Sequence, residues 1–521
     1  MWLHRLAHWM QNDTRCVLMT GLFGTLISLG LAAVYVPAPS VHDEFSYLLS
    51  ADTFANGRVT NDTHPHWPHF ETFHVIHEPS YIGKYPPGQA ITLAIGQILG
   101  HPIIGSALAT GISMAALMWM LIGWLPRKAN LFTFSLVVTH PGLQLLWGQS
   151  YMGGAVAMTG GALLLGAFIR LTDKLEIRYS VLAAMGVSIL AISRPLEGAV
   201  LTLLVGGCLV WRLQSWSECT LQRWAFRVAV PVVLVGCVSG GLFLGYNALT
   251  TGNPFVMPYQ IHEDKYALTP LFPWKESAPA RSYQNEVVRD FYEDDFRTAR
   301  EKYATFSSLA GAKLDVAIKL TLFFLGSSLI IGLAGLPVLI RDSKARLALL
   351  IMVPSLLVGF LTPWGHAHYV APAAPLVFLF AIGGLVELWH HRDQWKIVRR
   401  WNWRTVIAMQ AIWFVILGMK VTLHEMDGWH VQRRSLEREL VKAPGKDLVF
   451  VSYSDEHTLH SEWVYNGADI DGSEVVWARE MSPEMNQALI DYFGERKVWK
   501  LKPDKSPFLL TPYDESIPAL P

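Results

Sequence analysis

Two adjacent carboxylates, Asp43 and Glu44, follow closely on the first long apolar run of the chain. That run, about 16–36, is long enough to cross a hydrocarbon core of ~30 Å. The pair is thereby set at a membrane surface, where carboxylates can exchange protons with a lipid-borne substrate. Other side chains capable of chemistry fall where they would share that surface: Glu71, Glu78, Lys84, Arg194, Tyr246, Asn247, Tyr259, His262, His366 and His368. Inside the apolar runs ionisable residues are nearly absent, and Asp315, Lys319, Glu197 and Glu387 stand near the ends. Ion paths and proton relays put charges within the bilayer, so this pattern disfavours a proton-coupled transporter. The stretch His64, His66, His69, His74, His77 has the composition of a metal-binding tract. It leaves a divalent metal open without making one a firm expectation, because histidines also gather at interfaces without a metal.

The elements that must position these groups are membrane helices. Of 521 residues, 51% are hydrophobic and only 16% charged, against about 25% charged in soluble domains. The 20 tryptophans suit interfacial belts. Net charge is zero, so nothing points to a nucleic-acid partner. The four cysteines, Cys16, Cys208, Cys219 and Cys237, lie in or beside apolar segments, which leaves the C-terminal half without a disulfide or a cysteine zinc site. The first run is longer than a signal-peptide core of ~7–15 residues and is expected to be a retained span. Eleven runs read as spans, at about 16–36, 103–124, 130–147, 152–170, 179–193, 197–211, 228–249, 314–340, 346–362, 368–389 and 405–421. The short fifth and sixth flank Arg194-Pro195 and could form a tilted or re-entrant pair.

Charge then sorts the connections. Arg5, Arg15, Arg127, Lys128, Lys174, Arg178, Arg212, Arg223, Arg227, Arg341, Lys344, Arg346 and the cluster Arg392, Lys396, Arg399, Arg400, Arg404 fall on one side. Short loops near Gln149 and Trp364 on the other side carry no Lys or Arg. Basic excess marks the cytoplasmic face, so the N-terminus is expected inside and the C-terminus outside. The apolar segment 87–99 is too short for a span; with Pro86-Pro87 leading it in, it reads as an interfacial helix on the outer face. Two outer loops, about 37–102 and 250–313, and the tail 422–521 complete that face, beside a membrane domain of 1–421. The second loop is expected to be helical over 286–304. The tail reads as a small α/β domain with strands at 447–453, 475–478 and 497–501 and helices at 456–465 and 485–493.

Several short motifs recur on the outer face: Val-His-Asp-Glu-Phe-Ser-Tyr (41–47), Lys-Tyr-Pro-Pro-Gly-Gln (84–89), Ser-Arg-Pro (193–195), Tyr-Asn-x-x-x-Thr-Gly-Asn-Pro-Phe (246–255) and His-x-His-Tyr-x-x-Pro (366–372). Together they resemble the GT-C membrane glycosyltransferases, in the branch of the protein O-mannosyltransferases and the lipid A aminoarabinose transferase. The similarity spans roughly 15–390, and the acidic pair is its strongest element. It implies a polytopic helical enzyme that moves a sugar, with inversion, from a polyprenyl-phosphate donor to an extracytoplasmic glycan, lipid or protein acceptor. The family's catalytic carboxylate falls on Asp43, with Glu44 beside it.

A carboxylate is needed because an acceptor hydroxyl is a poor nucleophile until its proton is removed. Cationic donors are needed because the leaving group is a phosphate. Lys84, Arg194, His366 and His368 are the candidates, arginine having the fork that grips phosphate twice. Glu78, Tyr85, Tyr246, Asn247 and Tyr259 are expected to line the cavity. Each has a plainer reading: Asp43 could cap its helix and Lys84 could snorkel. One departure stands out. In the aminoarabinose branch a glutamate precedes the lysine of the Lys-Pro-Pro element, whereas here the position is Gly83 and Tyr85 intervenes. A second carboxylate would have to come from elsewhere, with Glu78 and Glu71 nearest. The alternatives are a lipid-linked-sugar transporter, or a polymerase or ligase using Arg281, Arg289 and Arg297.

Overall fold

The apolar runs form a bundle of helices, and the polar segments between them gather at one end of it. The computed structural model describes residues 2–214, 220–270, 272, 279, 281–391, 403–425 and 428–513; the expected basic cluster Arg392, Lys396, Arg399, Arg400 lies outside these. Seven described helices are long and apolar enough to cross a bilayer: Asp13–Val34, Pro102–Trp124, Gly154–Leu171, Pro195–Arg212, Leu221–Thr251, Ser343–Leu361 and Trp403–Val421. Phe306–Phe324 with Gly326–Leu339 makes an eighth if the pair is one span. Ile177–Ala191 and Ala374–His390 are shorter apolar helices. Close approach of backbones holds the bundle together, as is usual where lipid removes the hydrophobic drive between helices. A Cβ on Gly111 would stand 1.9 Å from Thr25 Oγ1 and 2.6 Å from the Gly21 carbonyl oxygen.

Two runs expected as single helices are interrupted. The first, 130–147, splits into Asn130–Val138 and a π-helical turn, Gly142–Trp147. The second bends by 99° where Gly326 takes φ +53°. Carbonyls near these breaks meet buried side chains. Gln410 Nε2 donates to Leu136 O at 2.6 Å, Ser328 donates to Gln410 Oε1 at 2.9 Å, and His140 Nε2 lies 3.0 Å from Phe324 O. Side-chain partners of this kind make broken helices tolerable at membrane depth.

At the polar end, the expected interfacial segment forms the helix Gly88–Ile98, packed against His42–Ala55 and Pro102–Trp124. The second loop gives the helices Pro258–Tyr266 and Glu286–Tyr303. The first loop contains a small antiparallel hairpin of β1 (Val75–Ile76) and β2 (Ile82–Gly83).

The tail builds a four-stranded sheet of β3 (Asp447–Val451), β4 (Val475–Arg479), β5 (Lys497–Lys502) and β6 (Leu509–Pro512), in the order β4-β3-β5-β6. β3 is parallel to β4 and β5, and β6 is antiparallel to β5. β3 is buried along its whole length, as expected of a parallel strand covered on both faces. One face carries Val449, Val451, Trp477 and Leu501 against Leu436, Leu440 and Trp463. The other carries Leu448, Phe450, Val476 and Ala478 against Leu489 and four residues of the first loop region, Leu49, Phe70, Val75 and Tyr81. The sheet and the first loop therefore share a core.

The helix expected over 456–465 is absent. Trp463 N–H donates to Tyr453 Oη at 2.8 Å and Val464 N–H to Glu462 Oε1 at 2.8 Å, so side chains take the amides a helix would use. Glu462 is fully buried and pairs with Arg479 at 2.8 Å. Removing one partner of a buried pair strands the other charge and typically costs ~3–5 kcal/mol. Arg479→Met should therefore destabilise this region by that order in denaturant unfolding, with β3 and β4 losing hydrogen-exchange protection. Arg297→Met, at an exposed pair, should change stability by no more than ~1 kcal/mol.

Candidate active site

The hairpin assembles the site. β1 and β2 pair Val75 with Gly83, and Lys84 N–H donates to His74 O at 3.0 Å. This register brings His74, just before β1, beside Lys84 and Tyr85, just after β2. His74 adopts φ 60°, the left-handed region that a histidine occupies at a cost of ~1–3 kcal/mol. Its ring is thereby aimed at Asp43 in the first turn of His42–Ala55, where exposed backbone amides favour negative charge.

Asp43 Oδ1 lies 2.7 Å from His74 Nδ1 and accepts from Tyr85 Oη at 2.7 Å. Burial alone would raise its pKa; its pairing with His74, the nearby His368 ring and the hydrogen bond from Tyr85 outweigh it and hold the carboxyl well below the usual range. Burial, reinforced by the Lys84 charge, lowers His74, so the pair stands as carboxylate and neutral imidazole with Nδ1–H donating. Asp43 keeps 21% of its side chain exposed and remains reachable.

Glu44 behaves differently. Its carboxylate accepts Ser40 N–H at 2.8 Å, Val41 N–H at 3.4 Å and Tyr151 N–H at 2.9 Å. It is buried, caps the helix from the third position in the manner of a capping box, and ties the 148–153 turn to the first loop. The plainer capping reading considered for Asp43 thus describes Glu44.

Lys84 Nζ, buried, lies between the Tyr85 and Tyr259 rings at 5.3 Å from each centroid and pairs with Glu263 Oε1 at 3.3 Å. Glu263 also meets His262 Nδ1 at 3.4 Å, and His262 Nε2 lies 2.9 Å from Tyr292 Oη. Burial would raise Glu263, but Lys84 and His262 bring it down to about 2. Burial and the Lys84 charge lower His262 to about 3, so it is neutral. Arg194 sits over the Tyr369 ring at 4.7 Å, and its Nη2 is buried with no hydrogen-bond partner among the described residues. His368 stacks on His366 at 5.3 Å and lies within the electrostatic reach of both Asp43 and Arg194. Burial and the Arg194 charge keep it neutral, and its Nε2 is likewise unpartnered. A cleft of about 550 Å³ opens past His366, with apolar walls such as Leu320, Phe323 and Trp413 and four lysines, Lys302, Lys313, Lys319 and Lys420.

The structure thus brings together Asp43, Lys84, Tyr85, Arg194, Tyr259, His366 and His368. It keeps others apart. Glu78 points outward, half-exposed, to Lys265 at 3.2 Å. Glu71 is buried under Tyr266 and Asn285 at 2.9 and 2.8 Å. Tyr246 packs against Phe54 and Phe243, and Asn247 donates to Pro254 O at 3.1 Å, folding its own turn. The histidine tract disperses. His64 goes to Asp471, His69 to the Arg479 and Met485 carbonyls, His77 onto Trp67 and Tyr81, and His74 to Asp43. Among the described residues no three His, Cys, Asp or Glu side chains converge as a metal site.

A carboxylate that does stand beside Lys84 is Glu263, which sequence reasoning missed, as it missed His74 as the partner of Asp43. A signal for Glu263 existed: Tyr259, His262, Glu263 and Tyr266 follow the i, i+3, i+4, i+7 spacing of one helix face. The departure at Gly83 also has a cause. A Cβ there would meet Ser46 O at 2.2 Å and Ser50 Oγ at 2.6 Å, because β2 lies directly on the His42–Ala55 helix. Gly83→Ala should cost ~1–3 kcal/mol and push Tyr85 off Asp43, seen as a lowered unfolding temperature with impaired turnover.

The fold is a bundle of apolar helices, several long enough to cross a bilayer, with the polar site gathered at one end. No protein-family model matches the chain, and no curated protein does. Solved structures do. ArnT from Cupriavidus metallidurans in the apo state superposes with TM-score 0.53 at 12% identity, covering 94% of this chain and 93% of that one. ArnT from the same organism bound to undecaprenyl phosphate gives TM-score 0.54 at 12% identity, over 93% and 92%. ArnT is the lipid A aminoarabinose transferase, a GT-C glycosyltransferase. At this identity the likeness is one of fold, and function has to be argued from the site.

Proposed function

We propose that the chain is an integral membrane glycosyltransferase that moves a sugar from a polyprenyl-phosphate donor to an extracytoplasmic acceptor hydroxyl with inversion at C1. The observation that carries this is one ionised, reachable carboxylate, Asp43, close to two cations in an apolar setting, Lys84 and an Arg194 whose Nη2 has no partner among the described residues. The acceptor oxygen attacks C1 as the C1–O bond to phosphate breaks. The acceptor proton passes to Asp43, and the bonding electrons leave on the phosphate oxygen. Lys84 and the free edge of Arg194 take up that charge, with His368 as a neutral donor beside them. Tyr85 and His74 hold Asp43 ionised and oriented. A low-pKa carboxylate suits a transition state of oxocarbenium character, in which the attacking oxygen becomes acidic as its bond to C1 forms.

The ArnT neighbour bound to undecaprenyl phosphate supports the donor class, and the lysine-rimmed apolar cleft suits an anionic lipid. Basic residues at the opposite end of the bundle, among them Arg127, Arg178, Lys344 and Arg346, support a cytoplasmic placing of that end, with Asp43 outside. For a ligase using loop arginines, Arg289 and Arg297 are spent on Glu286, Asp290, Asp294 and Glu301, which leaves Arg281, whose buried Nε has no partner among the described residues. Incubating the purified protein with a panel of radiolabelled polyprenyl-phosphate sugars and cell-envelope acceptors tests the proposal. Label should leave the carrier for an acceptor; label that stays on the carrier throughout the panel would refute it.

A further inference from the structure

Glu263 is placed where no step of the transfer requires a carboxylate. It contacts Lys84, the same cation that the donor phosphate needs, at 3.3 Å. A phosphate that takes up Lys84 must therefore approach a fixed negative charge to within a few ångströms. The tyrosine rings on either side of Lys84 displace water and leave little dielectric to screen that approach. Glu263 is ionised, and it is held in place by His262, which Tyr292 fixes in turn. Asp43 does not share this role, because at the end of the reaction it carries the acceptor's proton and is neutral.

The two lipids that must use Lys84 differ in charge. The donor is a phosphodiester with one negative charge. The spent carrier is a monoester whose second ionisation lies near pKa ~6, so it bears nearly two charges at neutral pH and above. Building on the donor reading given above, we propose that Glu263 is a specificity-determining residue that selects by charge: it disfavours the spent carrier relative to the donor and so drives release. Lys84 attracts both lipids, and Glu263 takes back more of that attraction from the dianion. One extra unit of charge at ~4 Å is worth roughly fivefold in relative affinity even at the dielectric of bulk water and more in a drier site, so about tenfold is a modest expectation.

The test uses the full-length protein in detergent or nanodiscs at pH 8, with two probes: a polyprenyl monophosphate and its methyl phosphodiester. The ratio of the two dissociation constants in wild type is the reference. Glu263→Gln should shift the ratio of dissociation constants toward the monoester by about tenfold, and Glu263→Asp should restore the wild-type preference. In turnover, Glu263→Gln should show stronger inhibition by added monoester and a lower kcat without a raised KM for donor. A ratio unchanged in Glu263→Gln, including equal weakening of both probes, would overturn charge selection and leave Glu263 as a holder of Lys84. Failure of wild type to bind either probe would overturn the donor reading itself, and this proposal with it.

Discussion

Asp43→Asn should lower sugar transfer by about 10²–10⁴-fold, the range over which a positioned general base contributes, with membrane expression and unfolding temperature near wild type. The substitution keeps size and shape, so the helix start, which Glu44 rather than Asp43 caps, is undisturbed. Tyr85 and His74 both meet Oδ1, so the asparagine carbonyl oxygen can still accept from the two of them. The loss should therefore fall on kcat, with donor KM nearly unchanged, because Lys84 and Arg194 are intact. The pH profile adds a sign. A carboxyl held below its ordinary value is a base at every pH above that lowered value and is lost only as pH falls through it. Asp43 should thus contribute no acid limb between pH 5 and 8, as kcat/KM measured across that window can check. A steep acid limb carried by this residue would mean that its pairing with His74 and Tyr85 is not as described.

Arg194→Met should cost about 10²–10³-fold in transfer, and Arg194→Lys should recover little of it. Removing one preorganised donor to a developing oxyanion has costs of that size. Arg194 is buried in the Ser-Arg-Pro turn, stacked on Tyr369, with an Nη2 that no described residue satisfies. A buried unsatisfied guanidinium nitrogen is expensive unless a substrate completes it. Lysine would supply a charge but neither the planar stack on Tyr369 nor the second donor. Steady-state kinetics should show both kcat and donor affinity falling. Full activity in Arg194→Met would place the phosphate elsewhere.

Much of this was legible in the sequence for identifiable reasons. Apolar run lengths gave the helices, and proline before an apolar segment gave Gly88–Ile98. Short runs rich in Val, Phe and Trp gave β3, β4 and β5. Short motifs singled out Asp43, Lys84, Arg194 and the His366–His368 pair, which the fold brings near one another. The break at Gly326 falls inside a long apolar run, whereas the one at 139–141 carries a local signal, Thr139-His140-Pro141 before Gly142, that reading by run length alone passed over. Glu263 was hidden because its partner Lys84 is 179 residues away. No local pattern can pair such residues, whereas Glu78 and Glu71 were near in sequence and turned elsewhere. His74 was read with its neighbours as a tract, and the hairpin separates it from them. The irregular 456–465 segment was misread because its helical composition loses to a buried ion pair formed with Arg479.

The most direct measurement follows the sugar's C1. A polyprenyl-phosphate sugar labelled at C1 is incubated with purified wild type and Asp43→Asn, and the anomeric configuration of transferred sugar is read by NMR. Wild type should give product of inverted configuration while the variant gives almost none. Retained configuration, or equal transfer by Asp43→Asn, would contradict Asp43 as the base of a direct displacement.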